Sequence, residues 1–267
     1  MRKIEFATIA SGSKGNCIYV GTENTKILID AGISGKKAEQ GLSELGLSGE
    51  DIDAVFVTHE HNDHVDGIGV LSRRYDIPIY ATEGTWENMP EKVGNIRESN
   101  KKAVYAGEPL AFNELALCPF EIPHDAAQPV GYRISAYNKN ITIATDIGHI
   151  TDKVRENCRD CDLLLLESNH DVEMVKNGPY PYMLKRRVLS DNGHLSNENC
   201  GKMITDICTS RLKYVILGHL SGENNTPHLA FNTSKSIMQN QGIEIGEDGD
   251  VKMYVAAPFG VKRRIEI

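Results

Sequence analysis

Residues 55–67, Val-Phe-Val-Thr-His-Glu-His-Asn-Asp-His-Val-Asp-Gly, constrain this chain more than any other stretch, because an apolar run ends in three histidines and an aspartate within six positions. Residues 54–57 are short and apolar, the pattern of a strand covered on both faces. Extended backbone beyond Thr58 would put His59, His61 and Asp63 on one side, since side chains in a strand alternate with period two. His64 follows directly, and a helix is expected from about Asp66. Imidazoles and a carboxylate at this density suit a borderline divalent cation, Zn²⁺ first, with Mn²⁺ or Fe²⁺ compatible where a carboxylate shares the site. A polar loop of solvated histidines is the alternative for any one of them, but the four together read as a metal site.

With 267 residues, 40 % of them hydrophobic, the chain can bury one large core. No Pro/Ser-rich tract, internal repeat or long charge run divides it, so residues 1–267 read as a single domain. The start, Met1-Arg2-Lys3-Ile4-Glu5-Phe6, places an acid where a leader needs an apolar run, and no later run is long enough to cross a bilayer. A cytoplasmic protein without membrane attachment is expected. Its six scattered cysteines are expected to be reduced, and Cys158 and Cys161 have ligand-like spacing without a partner pair. A net charge of −8 argues against a protein held to nucleic acid by its overall field. Local contacts stay open at Arg73-Arg74, Lys101-Lys102, Lys185-Arg186-Arg187 and Lys262-Arg263-Arg264.

In chain order, residues 4–10, 17–20 and 26–29 read as strands. The loop Ser11-Gly12-Ser13-Lys14-Gly15-Asn16 offers hydroxyls, turning amides, a lysine and an amide side chain that could hold a phosphate, or is an ordinary hairpin. A helix capped by Ser34 runs to about Leu45. Strands are expected at 77–81, at two or three places within 103–120, at 130–137 with 140–144, at 163–166, at 213–217 and at 251–257. Helices are expected at 182–189, from Ser196 or Asn197 to about Cys208, and at 226–241. Several strands deliver a polar residue at their end: Asp30, His59, His124, Asp146, Glu167 and His219. Such recurrence gathers polar groups along one edge of a layered α/β structure. Asp30 is suited to fix an imidazole's orientation, or is a turn former. His149, His170 and His228 are assigned to the surface or to support of the site.

The His59-X-His61-X-Asp63-His64 pattern resembles the hallmark motif of the metallo-β-lactamase superfamily, and the likeness runs along the whole chain. It implies an αβ/βα four-layer sandwich, two mixed β-sheets flanked by helices. It also implies two divalent metal ions, one held by His59, His61 and His124 and one by Asp63, His64 and His219, with Asp146 bridging and Asp30 behind them. The loop of residues 11–16, Gly193-His194-Leu195-Ser196-Asn197 and Gly218-His219-Leu220-Ser221 resemble the YycJ/WalJ-like branch, members regarded as nucleases. Glu167 and His194 match a pair that helps protonate the leaving group in ribonuclease Z. The inserted domain of the β-CASP nucleases and the arm of ribonuclease Z have no counterpart here.

The implied activity is hydrolysis of DNA, with 5′-to-3′ exonuclease action as one form, or of RNA. Two ions about 3.5–4 Å apart share a hydroxide as nucleophile and clamp a phosphodiester. Asp63 would orient or deprotonate that nucleophile, His194 held by Glu167 would act as the acid, and Ser11, Ser13, Lys14 and Asn16 would touch phosphate. The alternative is a hydrolase of a small ester, thioester, lactone or cyclic phosphodiester. No obligate protein partner is evident from the sequence, and the native metal, the substrate polymer and the oligomeric state stay open.

Overall fold

A computed structural model describes residues 2–267, and Met1, the first residue of the stretch considered for a leader, lies outside the described residues. Two seven-stranded sheets face each other. The first holds β1 (Glu5–Ala10), β2 (Cys17–Gly21), β3 (Lys26–Ile29), β4 (Ala54–Phe56), β5 (Ile79–Ala81), β6 (Lys101–Ala103) and β14 (Ile265–Glu266), in the order β14-β1-β2-β3-β4-β5-β6. The second holds β7 (Leu110–Phe112), β8 (Leu115–Glu121), β9 (Val130–Ala136), β10 (Lys139–Ala144), β11 (Leu163–Glu167), β12 (Tyr214–Gly218) and β13 (Lys252–Val255), in reverse chain order. Helices cover the outer faces: α1 (Gly35–Glu44), α2 (Asn62–Val65), α3 (Ile68–Tyr75), α4 (Glu83–Glu87), α5 (Asp152–Cys158), α6 (Val172–Asn177), α7 (Tyr182–Val188), α8 (Asn197–Ile207) and α9 (Pro227–Gln239). This is the four-layer α/β sandwich of two mixed sheets.

Period-two alternation builds the layers. In β11, Leu163 and Leu165 enter the core between the sheets, while Leu164 and Leu166 pack under the helices of the second half. In the first half, Ala54 and Phe56 face the inter-sheet core and Val55 and Val57 face the helices. All of these side chains are buried, and each buried leucine or phenylalanine contributes about 1.5–3 kcal/mol. Phe56 stacks on Tyr80 and meets Tyr132 edge-on, with ring centroids 4.6 and 5.9 Å apart. The Tyr132 hydroxyl donates to the Val57 carbonyl at 2.8 Å, which ties the second sheet to the first just before the histidine motif.

Parallel pairing runs through β3-β4-β5-β6 and through β10-β11-β12-β13. Within each sheet the carboxyl ends of these strands therefore share one edge, the place where open α/β sheets bind ligands. Within residues 103–120, β7 and the start of β8 pair antiparallel as a hairpin, as expected. Two local expectations need correction. The helix expected from about Asp66 already begins at Asn62, since β4 ends at Phe56 and His61 has become the N-cap. Residues 152–158 and 172–177, for which the sequence suggested no element, are helices capped by Thr151 and Asp171, too short to display a period.

Candidate metal centre

The first sheet supplies a compact cluster. The early helical turn lets the consecutive residues Asp63 and His64 face one centre, whereas an extended strand would send them to opposite sides. Behind them the Asp30 carboxylate accepts the Thr58 amide at 2.8 Å, the Thr58 hydroxyl at 2.9 Å and His64 Nδ1 at 2.7 Å. With Nδ1 occupied, His64 turns Nε2 to the centre, and Thr58 Oγ1 likewise lies 3.0 Å from His59 Nδ1. The loop of residues 11–16 is laced to the same turn, its Asn16 amide donating to the Asp63 carbonyl at 2.8 Å and its Asn16 carbonyl accepting from Gly32 at 2.7 Å. Gly32 leaves no choice of residue, since a Cβ there would lie 1.6 Å from the Asp63 carbonyl oxygen.

The second sheet contributes one residue per strand end. His124 follows β8 and presents Nδ1 to the Gly193 carbonyl at 3.2 Å, leaving Nε2 3.3 Å from His61 Nδ1. Asp146 follows β10, and His219 follows β12. Asp30, Asp146 and His219 all have positive φ, at 58°, 61° and 54°, a conformation uncommon outside glycine. Three strand ends thus turn left-handed to aim a side chain. Glu167 closes β11 and ties the group together: Oε1 accepts from His194 Nδ1 and from His219 Nδ1, both at 2.8 Å, while Oε2 accepts the amides of Ile147 at 2.7 Å and Leu195 at 3.0 Å. The two halves meet where His219 Nε2 lies 3.4 Å from Asp63 Oδ2 and His64 Nε2 lies 3.2 Å from Asp146 Oδ2.

Burial opposes charge on all of these groups, and the neighbours decide the outcome. Around Asp63 and Glu167 the imidazoles of His64 and His194 outweigh burial and bring both carboxyls down to about 2. Asp146 is held well below the carboxylate range by His219 and His64 against full burial. His219, facing Asp146, Asp63 and Glu167, is raised to about 10 despite its burial. His59 goes the other way, since burial and then the nearby His64 disfavour its proton.

Divalent cations fit these residues. His59, His61 and His124 offer ligand atoms within 4.8 Å of one another, as do Asp63, His64 and His219, and also His59, His64 and Asp146. His59 Nε2 is buried without a hydrogen-bond partner, a costly state for a polar atom unless something else satisfies it. The donor set, imidazole nitrogens with ionised carboxylates, is that of a borderline divalent metal.

Comparison with known proteins follows the same lines. A model of the beta-lactamase superfamily domain matches residues 25–219. The chain belongs to the beta-lactamase superfamily. Within the superfamily it is 39 % identical over 255 residues to the exodeoxyribonuclease YycJ of Bacillus anthracis, covering 94 % of this chain and 97 % of that one. It is also 39 % identical over 256 residues to the exodeoxyribonuclease WalJ of Streptococcus pneumoniae, covering 95 % and 94 %. Among solved structures, the metallo-beta-lactamase fold protein YhfI of Bacillus subtilis superposes with a TM-score of 0.73 over 99 % of this chain and 100 % of that one, at 16 % identity. That likeness concerns the superfamily's fold.

Of the residues singled out from the sequence, His59, His61, Asp63, His64, His124, Asp146, Glu167, His194, His219 and Asp30 come together. The phosphate loop divides. Ser13 lines the site pocket, but Ser11 and Asn16 are buried. Ser11 Oγ accepts the His219 amide at 2.9 Å, and Asn16 Nδ2 lies 3.1 Å from His64 Nε2. Both side chains brace the turns that carry His64 and His219, while Lys14 is exposed and outside the pocket lining. His170 is buried, and burial lowers its pKa to about 4. His149 and His228 are exposed. Cys158 and Cys161 sit in the second-half core; all six cysteines are free. Missed from the sequence were Thr58, the shared partner of Asp30 and the imidazoles, and the wall of the pocket formed by Tyr180, Leu184, Arg187 and Val188. Only the basic run at 185–187 hinted at that wall.

Proposed function

We propose that this chain is a metal-dependent nuclease that removes nucleotides from DNA ends, acting in the cytoplasm with two divalent cations. The observation that carries it is a pocket of about 230 Å³ in which Asp63, Asp146 and His219 face His194. Kinship over nearly the full length with two exodeoxyribonucleases supports DNA as the polymer. His59, His61 and His124 would hold one cation and Asp63, His64 and His219 the other, with Asp146 between them. Zn²⁺ suits the imidazole-rich set best, and Mn²⁺ or Fe²⁺ is compatible with its carboxylates. Cations bound there supply an activated water and offset the charge of a phosphodiester.

The remaining work falls to the chain's own residues. Asp63, ionised and anchored beside His219, orients the attacking water and accepts its proton. His194 has Nδ1 fixed by Glu167, so Nε2 is the nitrogen left to serve the leaving oxygen as a proton donor. Burial opposes a charged His194, but the Glu167 carboxylate outweighs it and raises its pKa, a shift toward the protonated imidazole that an acid requires. Leu184 and Val188 form an apolar wall of the pocket, and Arg187, bound through Nε to Asp125 Oδ2 at 2.5 Å, completes it. Free thiols agree with a reducing compartment, and among the described residues no helix is long and apolar enough to cross a membrane.

The test is cleavage of end-labelled duplex DNA, single-stranded DNA and RNA by protein reconstituted with Mn²⁺ or Zn²⁺. Progressive shortening of DNA from one end, absent in Asp63→Ala, is the expected result. Turnover of a simple ester or lactone with every polymer left intact would overturn the proposal.

A further inference from the structure

One exposed surface beside the pocket has the chemistry of a grip on a polymer. Only four large apolar side chains stand out as exposed among the described residues, and three belong to α7 and its end: Tyr182 at 72 %, Met183 at 71 % and Leu189 at 41 %. Residues 172–189 carry four cations, Lys176, Lys185, Arg186 and Arg187, against the single acid Glu173, in a chain whose net charge is −8. Lys176 pairs with Glu173 and Arg187 with Asp125. Lys185 and Arg186 have no carboxylate partner among the described residues; Lys185 Nζ donates to the Lys176 carbonyl at 2.7 Å and the Arg186 guanidinium lies 5.9 Å from the Tyr182 ring centre.

These side chains line a shallow groove of about 530 Å³ bounded by Lys176, Tyr180, Tyr182, Lys185, Arg186 and Leu189. The other face of α7 lines the metal pocket through Leu184, Arg187 and Val188, and Tyr180 lines both. The groove therefore adjoins the site, with α7 and Tyr180 between the two. We infer that it holds the single-stranded run of the nucleic-acid substrate next to the scissile phosphodiester, with bases stacked on Tyr182 and Tyr180 and phosphates met by Lys185 and Arg186. Aromatic rings and unpaired cations along one track are what a single strand requires, since every base has a stackable face and every linkage a negative charge. A helix exposing Tyr, Met and Leu beside two free cations is otherwise an unfavourable surface for a soluble fold. The inference rests on the nuclease reading of the neighbouring pocket.

Two measurements on the full chain test it: anisotropy of a fluorescein-labelled thymidine 20-mer in chelator, where no turnover occurs, and steady-state cleavage of the same oligonucleotide alongside bis(p-nitrophenyl) phosphate. For Tyr182→Ala, binding is expected to weaken about 5- to 150-fold, the range for loss of one stacked base. For Lys185→Gln with Arg186→Gln, the slope of log affinity against log salt is expected to flatten by about 1.4, roughly 0.7 for each phosphate no longer neutralised. Both variants should raise KM for the oligonucleotide and leave hydrolysis of the small diester within about twofold, a split that also reports intact folding. Unchanged oligonucleotide binding and KM in a wild type that does cleave DNA would overturn the groove and leave the nuclease standing. Groove-dependent binding without any cleavage would support the groove and overturn the nuclease. Light scattering showing a wild-type dimer that Tyr182→Ala converts to monomer would assign the groove to a second copy of the chain and overturn the inference.

Discussion

Asp30 and Glu167 do the same job in opposite halves of the molecule. Each is a buried carboxylate at the end of a parallel strand, and each fixes imidazoles by their Nδ1 so that Nε2 faces the shared centre, the arrangement that tunes ligands in metal sites. They differ in reach. Asp30 serves His64 and both donors of Thr58, all on the single connection that follows β4. Glu167 serves His194, His219 and the amides of Ile147 and Leu195, which come from three separate connections. The first half is thus fastened at a single connection, while the second is held in shape by one side chain that joins three of them across the sheet edge.

The largest effect should come where the two halves touch. Asp63→Ala removes both the carboxylate that meets His219 and a proposed ligand. Activity is expected to fall about a thousandfold, near 4 kcal/mol of transition-state stabilisation, with an unchanged circular dichroism spectrum; loss of fold instead would mean that the halves depend on this pairing for assembly. His194→Ala should lower kcat about a hundredfold, the scale of one lost general acid, while metal content measured by mass spectrometry stays at the wild-type level. A parallel loss of metal would show that His194 belongs among the ligands.

Replacing the two carboxylates by their amides sharpens the contrast. In Glu167→Gln the new NH₂ must face either two imidazole donors or two backbone amides, so no orientation satisfies the site. In Asp30→Asn the Thr58 hydroxyl can rotate and accept, relieving part of the conflict. Metal affinity by competition with a chelator is expected to drop about 100-fold for the first and about 10-fold for the second, the range for such supporting partners. Equal losses would break the comparison.

The smallest effect is expected at the opposite end of β11, where Asp162 accepts from Lys139 Nζ, the Asn140 amide and Arg211 Nε. Asp162→Asn should leave activity unchanged and lower stability by roughly 1 kcal/mol, solvent screening of the half-exposed cations included. Burial raises the Asp162 pKa, but Lys139, Asn140 and Arg211 outweigh it and hold it below its ordinary value. Its contribution is therefore complete above the unfolded carboxylate pKa and disappears as pH falls through the lower folded one. Wild type and variant should converge in thermal melts at acid pH.

Much of this was legible beforehand because strand periodicity and ligand chemistry are local. Leu163 to Leu166 announced a strand buried on both faces, and His59 to His64 announced their chemistry by residue type alone. Strand-end placement brought Asp30 and Asp146 into view as well. Other features stayed hidden for physical reasons. Helix α2 is one turn long and shows no period, so Asp63 read as extended. Ser11 looked like a phosphate ligand because a serine in a loop says nothing about which way its hydroxyl points; its partner, the His219 amide, lies 208 positions away.

The amino-acid sequence by itself determined which residue types stand at the ends of buried strands, since alternation and burial are properties of neighbouring residues. Only the tertiary structure decided who meets whom. Glu167, expected to hold His194, became the anchor of His219 as well, 52 positions downstream, and α7 became at once a wall of the pocket and a bank of the groove. Those pairings depend on how two sheets stack and where their connections cross, and hydrogen bonds between distant residues leave no periodic trace in the chain that forms them.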